Sequence, residues 1–208
     1  QVRINTTSHV LEVFDTDLVT LLHQTGGPGG RLYPFLKTAA GVVNAAITAD
    51  VTAGLLAAGS VVVTGAYYQG LTVGGNVYEV VASGTGTEDG GLFVNAGTVQ
   101  LHGMVAEGGM SATQWGAKAD GTTDDTARIQ AAINGIPLNS TLLLPDGSRC
   151  ITTLTVARKI KLRGGRLSWT AGITNADAIT VTADGVEVHD VTLINPNELG
   201  AAPGNRNI

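Results

Sequence analysis

The densest group of side chains able to do acid–base work is Asp184, Glu187, His189 and Asp190. Paired carboxylates beside an imidazole can divide the roles of general acid and general base. Their sequence context explains them without chemistry. Asp184-Gly185 has the form of a turn, and Asp190 that of a corner. Glu187 and His189 alternate with Val186 and Val188, which places them on the solvated face of a strand whose apolar face points inward. Asp124 and Asp125 form a second carboxylate pair, but they sit where a helix begins, and acidic residues there complement the positive end of the helix dipole.

Other chemistries find less support. The glycine-rich segments GGPGG (26–30) and GTGTEDGG (84–91) lack the lysine and hydroxyl residue of a phosphate-binding loop. His9, His23, His102 and His189 are scattered without metal-ligand spacing, and Cys150 has no neighbouring histidine. No catalytic, cofactor-binding or metal-ligating residue is assigned, and no cofactor is expected. One cysteine allows no intrachain disulfide. The formal charge is −5, and Arg158, Lys159, Lys161 and Arg163, the densest basic run, are interleaved with apolar residues. That balance argues against a nucleic-acid partner.

The elements that carry these residues are turn-rich and aliphatic. Gly makes up 29 of 208 residues and aromatic residues 4%, while the 43% hydrophobic fraction is enough to build cores. The length fits two compact units, or one unit followed by part of an elongated repeat. The stretch 39–56 is interrupted by Asn44, Thr48, Asp50 and Thr52, so no apolar run approaches the ~18 residues of a spanning helix, and no membrane insertion is expected. No signal peptide is visible, and both ends read as cuts through a longer protein.

Along the chain, Val10, Val13, Phe14, Leu18, Leu21 and Leu22 recur at three and four residues, which fits a helix face, although the β-branched residues leave a strand open. The glycines and proline at 26–30 mark a loop. From 36 to 58, Leu36, Ala40, Val43, Ile47, Val51 and Leu55 form a narrow apolar stripe among eight alanines. The stripe predicts a helix packed either on its own domain or against symmetry copies of itself. Between 60 and 105 the pattern changes to period two: Val61 and Val63, Leu71 and Val73, then Val77, Glu79 and Val81 set against Tyr78 and Val80. Short strands separated by Gly74-Gly75 and Gly90-Gly91 imply a small antiparallel sheet.

Residues 111–134 read as an extended entry, a turn on Asp120 and Gly121, and a helix capped by Thr123 or Asp124. In that helix Ile129, Ala132, Ile133 and Ile136 share one face. Beyond it, LLLPDG (142–147) is a buried strand ending in a proline turn, and a repeat follows. Ile160, Leu162, Gly165 and Leu167 match Val186, Val188, Val191 and Leu193, each 26 residues later (188 − 162 = 26), while Leu154 and Val156 match Ile179 and Val181 at 25. A period of this length with apolar residues at every second position fits a solenoid of stacked strands. The exposed end of its first rung would need a cover, and the helix at 124–134 is the candidate.

QWGAKADGTTDDTARIQAAI (114–133), then LLLPDG and KIKLRGG (159–165), resembles the entry segment of the pectate-lyase-like β-helix superfamily as found in bacteriophage tailspikes and tail fibres. YYQGLTVGGNVYEVVASGTGTEDGG (67–91) resembles the connector that precedes the β-helix in those proteins. The resemblance implies a mainly β chain in which a small antiparallel β module with helices precedes the helix-capped first rungs of a right-handed parallel β-helix. The implied division is an amino-terminal virion-attachment segment (1–58), a connector (59–110) and the start of the β-helix (111–208). It implies a homotrimer located on the phage tail, assembled in the host cytoplasm, docked on tail, baseplate or portal-adaptor proteins, and recognising bacterial surface polysaccharide through a part beyond residue 208. A glycan-cleaving lyase or hydrolase with its active site in that part is the alternative, and a secreted β-helix adhesin unrelated to phage is a third reading.

Overall fold

The computed structural model describes residues 2–5, 10–13, 30–169 and 178–194. Strands β1 (Val2–Asn5) and β2 (Val10–Val13) pair antiparallel, with Val2 opposite Val13. The strand alternative therefore holds at Val10 and Val13, while the expected positions of Phe14, Leu18, Leu21 and Leu22, like the loop at 26–29, lie outside the described residues.

A five-stranded sheet follows. Its strands are β3 (Gly30–Tyr33), β4 (Val61–Thr64), β5 (Val77–Ala82), β6 (Phe93–Ala96) and β7 (Val99–Gly103), in the order β3-β4-β5-β7-β6. β4, β5, β7 and β6 are antiparallel neighbours, as the glycine turns require. β3 and β4 are parallel, which short turns could not achieve; helix α1 (Ala45–Thr52) lies in the long connection between them. Residues on both sides of position 58 thus share one core: Tyr33, Leu36, Ile47, Val51 and Leu56 cluster with Val62, Tyr78, Val80 and Leu101. In β5 the period-two reading holds, with Tyr78 and Val80 buried, Val77 and Glu79 exposed and Val81 half-buried.

Two local expectations fail for identifiable reasons. The helix expected over 36–58 is confined to eight residues. Thr38 and Val42 close a turn that places Gly41 at φ 83°, a conformation outside the helical region, and Asn44 then caps α1 by accepting from the Ala46 N–H at 3.0 Å. Gly54 at φ 71° follows its end, so Leu56 is buried and Leu55 is exposed. Leu71 and Val73 form no strand. They lie in a bend closed by the Tyr67 N–H on the Val73 carbonyl, between Gly70 and Gly74 with positive φ. In β4 the alternation holds, with Val62 and Thr64 buried and Val61 and Val63 half-buried.

The second body is a parallel coil. Strand β8 (Met110–Ser111) leads into a single 3-10 turn (Ala112–Trp115) and helix α2 (Thr126–Gly135). Then come β9 (Thr141–Leu143), β10 (Ser148–Cys150), β11 (Leu154–Val156), β12 (Lys161–Arg163), β13 (Arg166–Trp169), β14 (Ile179–Val181), β15 (Glu187–His189) and β16 (Thr192–Ile194). They form three parallel faces, β8-β9-β12-β15, β10-β13-β16 and β11-β14. The repeat reads true in the registers: Leu162 pairs with Val188, Leu167 with Leu193, and Leu154 with Ile179. Leu142, Cys150, Leu154, Val156, Leu162 and Leu167 fill the interior together with Ile129, Ala132, Ile133 and Ile136 from α2.

Candidate functional site

The first rung is closed by a built cap. α2 lays its four apolar residues over the open end of the coil, all fully buried. On its other side Gln130 does what a strand would do. Its Nε2 donates to the Thr155 carbonyl at 2.9 Å and its Oε1 accepts from the Thr155 N–H at 2.8 Å, so one side-chain amide satisfies the edge of β11. Thr126 Oγ1 likewise accepts from the Ile151 N–H just beyond β10, and the Asp125 N–H donates to the Arg149 carbonyl within it. α2 ends at Ile136, whose extended backbone is the conformation preferred before Pro137.

The carboxylates at the start of α2 have structural duties. Asp124 Oδ1 accepts from the Thr126 N–H at 3.0 Å and from the Thr126 hydroxyl at 2.6 Å. Asp125, rather than Thr123 or Asp124, occupies the cap position, yet its side chain makes no cap bond. It turns back to accept from the Lys118 and Ala119 N–H groups, and burial raises its pKa. Asp120 gathers the backbone N–H and hydroxyl of both Thr122 and Thr123, which holds its carboxyl far below the usual range.

The group around Glu187 lies on an exposed outer face of the coil. Glu187 Oε2 stands 3.2 Å from His189 Nε2 and 3.3 Å from Lys161 Nζ, and these contacts, His189 first, lower its pKa. Asp190 occupies a left-handed corner at φ 58°, 3.9 Å from Arg163 Nε. Gly185 follows Asp184 at φ 69°, consistent with the turn reading. The arrangement is a set of partly exposed ion pairs linking β12 to β15 and the corner that follows it. Val188 keeps 47% exposure even in register with fully buried Leu162.

The remaining candidates have similar explanations. Cys150 is buried in β10, and burial pushes its thiol up to about 12, which leaves it protonated and inert. Glu88 and Asp89 organise the loop before β6: Glu88 accepts from the Asn95 N–H, and Asp89 Oδ1 accepts from those of Gly91 and Phe93. His102 stacks on Phe93 with ring centroids 4.5 Å apart. Burial lowers the pKa of Lys37 although Glu88 lies 3.7 Å away. Among the described residues no group of histidine, cysteine and carboxylate side chains is placed to hold a metal, and no helix is long and apolar enough to cross a membrane. Val42, Val43, Ala45, Thr48, Ala49, Thr52 and Ala53 line an open, mainly apolar groove of about 580 Å³ on the outer side of α1.

Gln130 acts on a segment 25 residues away and carries no local sequence signal, whereas the capping pattern at Ser111 and Gln114 has one. There the Ser111 hydroxyl accepts from the Thr113 N–H, and Gln114 Oε1 accepts from the Ser111 N–H.

No family model matches the chain, and no curated protein matches it. Solved structures do. The Acinetobacter phage vB_ApiP_P1 tailspike protein is 15% identical with a TM-score of 0.57, over 80% of this chain and 30% of that one. Full-length tailspike protein 2 from an Escherichia coli O157:H7 bacteriophage is 19% identical at a TM-score of 0.57, over 72% and 20%. A tailspike of Acinetobacter baumannii bacteriophage Fri1, a capsular polysaccharide depolymerase, is 16% identical at 0.50, over 67% and 36%. The fold is therefore the tailspike-like parallel β-helix with its preceding module, and the chain spans roughly a fifth to a third of the length of these structures.

Proposed function

We propose that this chain is the part of a phage tailspike that joins the virion to a receptor-binding β-helix. The observation that carries the reading is the structural match to tailspikes over 67–80% of the chain, more than either the module or the coil alone makes up. In this reading residues 1–58 supply the attachment side and 59–110 the connector, the two sharing the one sheet of residues 30–103, and 111–208 begin the receptor-binding coil. The partners are two further copies of the chain, tail, baseplate or portal-adaptor proteins, and bacterial surface polysaccharide met by later coils. The predicted location is the virion tail, after assembly in the host cytoplasm.

The homotrimer now rests on fold likeness, because Leu36, Ile47 and Val51 of the apolar stripe are spent on the module's own core. Light scattering on the 21.2 kDa chain across a dilution series tests it, and a mass of three chains is expected. A clean monomer at all concentrations would remove self-sufficient trimerisation. Attachment is tested by adding the labelled chain to spike-free particles of the phage that encodes it. Stoichiometric uptake is expected, and absence of uptake would end the attachment role.

The depolymerase reading is favoured by one observation, the likeness to the Fri1 spike. Under it, cleavage of capsular polysaccharide would belong to coils farther along, and this chain alone would leave the polymer intact.

A further inference from the structure

We infer that the module of residues 30–103 is the outer plug of the coil, so that module and first coils open and turn as one rigid body rather than as two domains on a tether. Leu92, in the loop before β6, is buried in the interior cluster of the coil together with Trp115, Ile133 and Leu142, and Phe93 packs against the same cluster. Glycines on both sides let the two bodies meet at backbone distance. Gly91 lies against the Trp115 indole, where a Cβ would come within 2.5 Å of three ring atoms. Gly74 faces the Thr113 carbonyl in the same way, Gly116 faces the Tyr67 ring, and Gly135 at the end of α2 faces the Asp89 carboxylate. The Tyr67 hydroxyl holds the intruding loop by donating to the Gly90 carbonyl at 2.7 Å. The covalent link between the bodies passes Met104 and Val105, which are 54% and 38% exposed. The joint is therefore made by packing and not by the connecting peptide. Neighbouring domains move independently by default unless a substantial apolar interface couples them, and Leu92 and Trp115 supply that apolar centre here.

The test is native-state hydrogen exchange on the full chain carrying Val62→Ala, a lesion in the module's own cluster, which does not include the coil's residues. If the bodies open together, amides of β12 and β13 lose protection by the same factor as those of β5 and β7, on the order of tens-fold for a buried truncation. Loss confined to β5 and β7 would overturn the inference. Should Val62→Ala fail to fold, Ile47→Val removes a single methylene from the same cluster and is read in the same way, with a several-fold loss expected in both bodies.

Discussion

The module and the coil solve the same problem, closing a sheet of short strands, by different means. In the coil each interior residue stacks on its counterpart one turn away: Leu142, Leu162 and Val188 share one ladder, and Cys150 pairs with Trp169. The module has one apolar ladder, Val94–Leu101–Val80, but it does not recur from turn to turn, and individual polar side chains hold the loops. Gln100, 2% exposed, accepts from the Gly86 N–H and donates to the Gly86 carbonyl and to Asn95 Oδ1. Asp50 joins α1 to β3 by accepting from Arg31 at 2.7 Å and from the Tyr33 hydroxyl at 2.6 Å. Repetition lets an apolar ladder specify the coil. Without it, the module depends on bonds that each occur once.

The strongest way to break this comparison is to cut the ladder at its middle. Leu162→Ala removes the side chain between Leu142 and Val188, and a loss of about 2–5 kcal/mol in unfolding free energy is expected from urea denaturation. A loss well under ~1 kcal/mol would mean that the stack is not what holds the first coils.

The counterpart in the module is Gln100→Ala. It strips both Gly86 backbone groups of their partner in one step, and a cost of about 2–3 kcal/mol is expected by the same measurement. Gln100→Glu sharpens the reading. It keeps the acceptor for the Gly86 N–H but loses the donor to the Gly86 carbonyl and Asn95, so near-wild-type stability at neutral pH would show that shape rather than bonding matters there.

The same difference decides what could be read in advance. The 26- and 25-residue offsets that align Leu162 with Val188 and Leu154 with Ile179 are periodic, so the rung registers were legible in sequence, as was the α2 face of Ile129, Ala132, Ile133 and Ile136. The stripe at 36–58 misled because its spacing is helical while Gly41 and Gly54 take left-handed conformations that a helix cannot include. The parallel β3–β4 pair was hidden for a related reason: a crossover needs long-range placement that strand alternation does not encode. Around the candidate residues, the helix start at Asp124 and Asp125, the turn at Asp184-Gly185 and the corner at Asp190 were legible from turn chemistry. Gln130 was not, since its partner Thr155 lies 25 residues away and the bond exists only after the coil has formed.

Gln130→Ala tests the point where a helix substitutes for a strand. Thr155 is exposed, so water can replace the lost amide, and a cost of about 1 kcal/mol is expected. The loss should appear as faster hydrogen exchange at the Thr155 amide, while the amides of β12 keep their protection.

The smallest effect is expected at Asp120, and it appears only in acid. Four hydrogen bonds hold its carboxyl below the unfolded value of 3.8, so its contribution is present above that value and is lost as the pH falls through the folded one. Asp125, beside it in the same loop, has the opposite sign. Burial raises its pKa, so its charged form weighs against the fold, and the relative advantage it gives in acid fades as the pH rises through its folded value. Asp120→Asn removes the first contribution and keeps the second. The acid limb of a stability–pH curve should therefore flatten below pH 3.8, while the neutral plateau is lowered. An unchanged acid limb would show that the Thr122 and Thr123 bonds do not persist in solution, and that the entry loop is ordered by Asp125 and the coil edge alone.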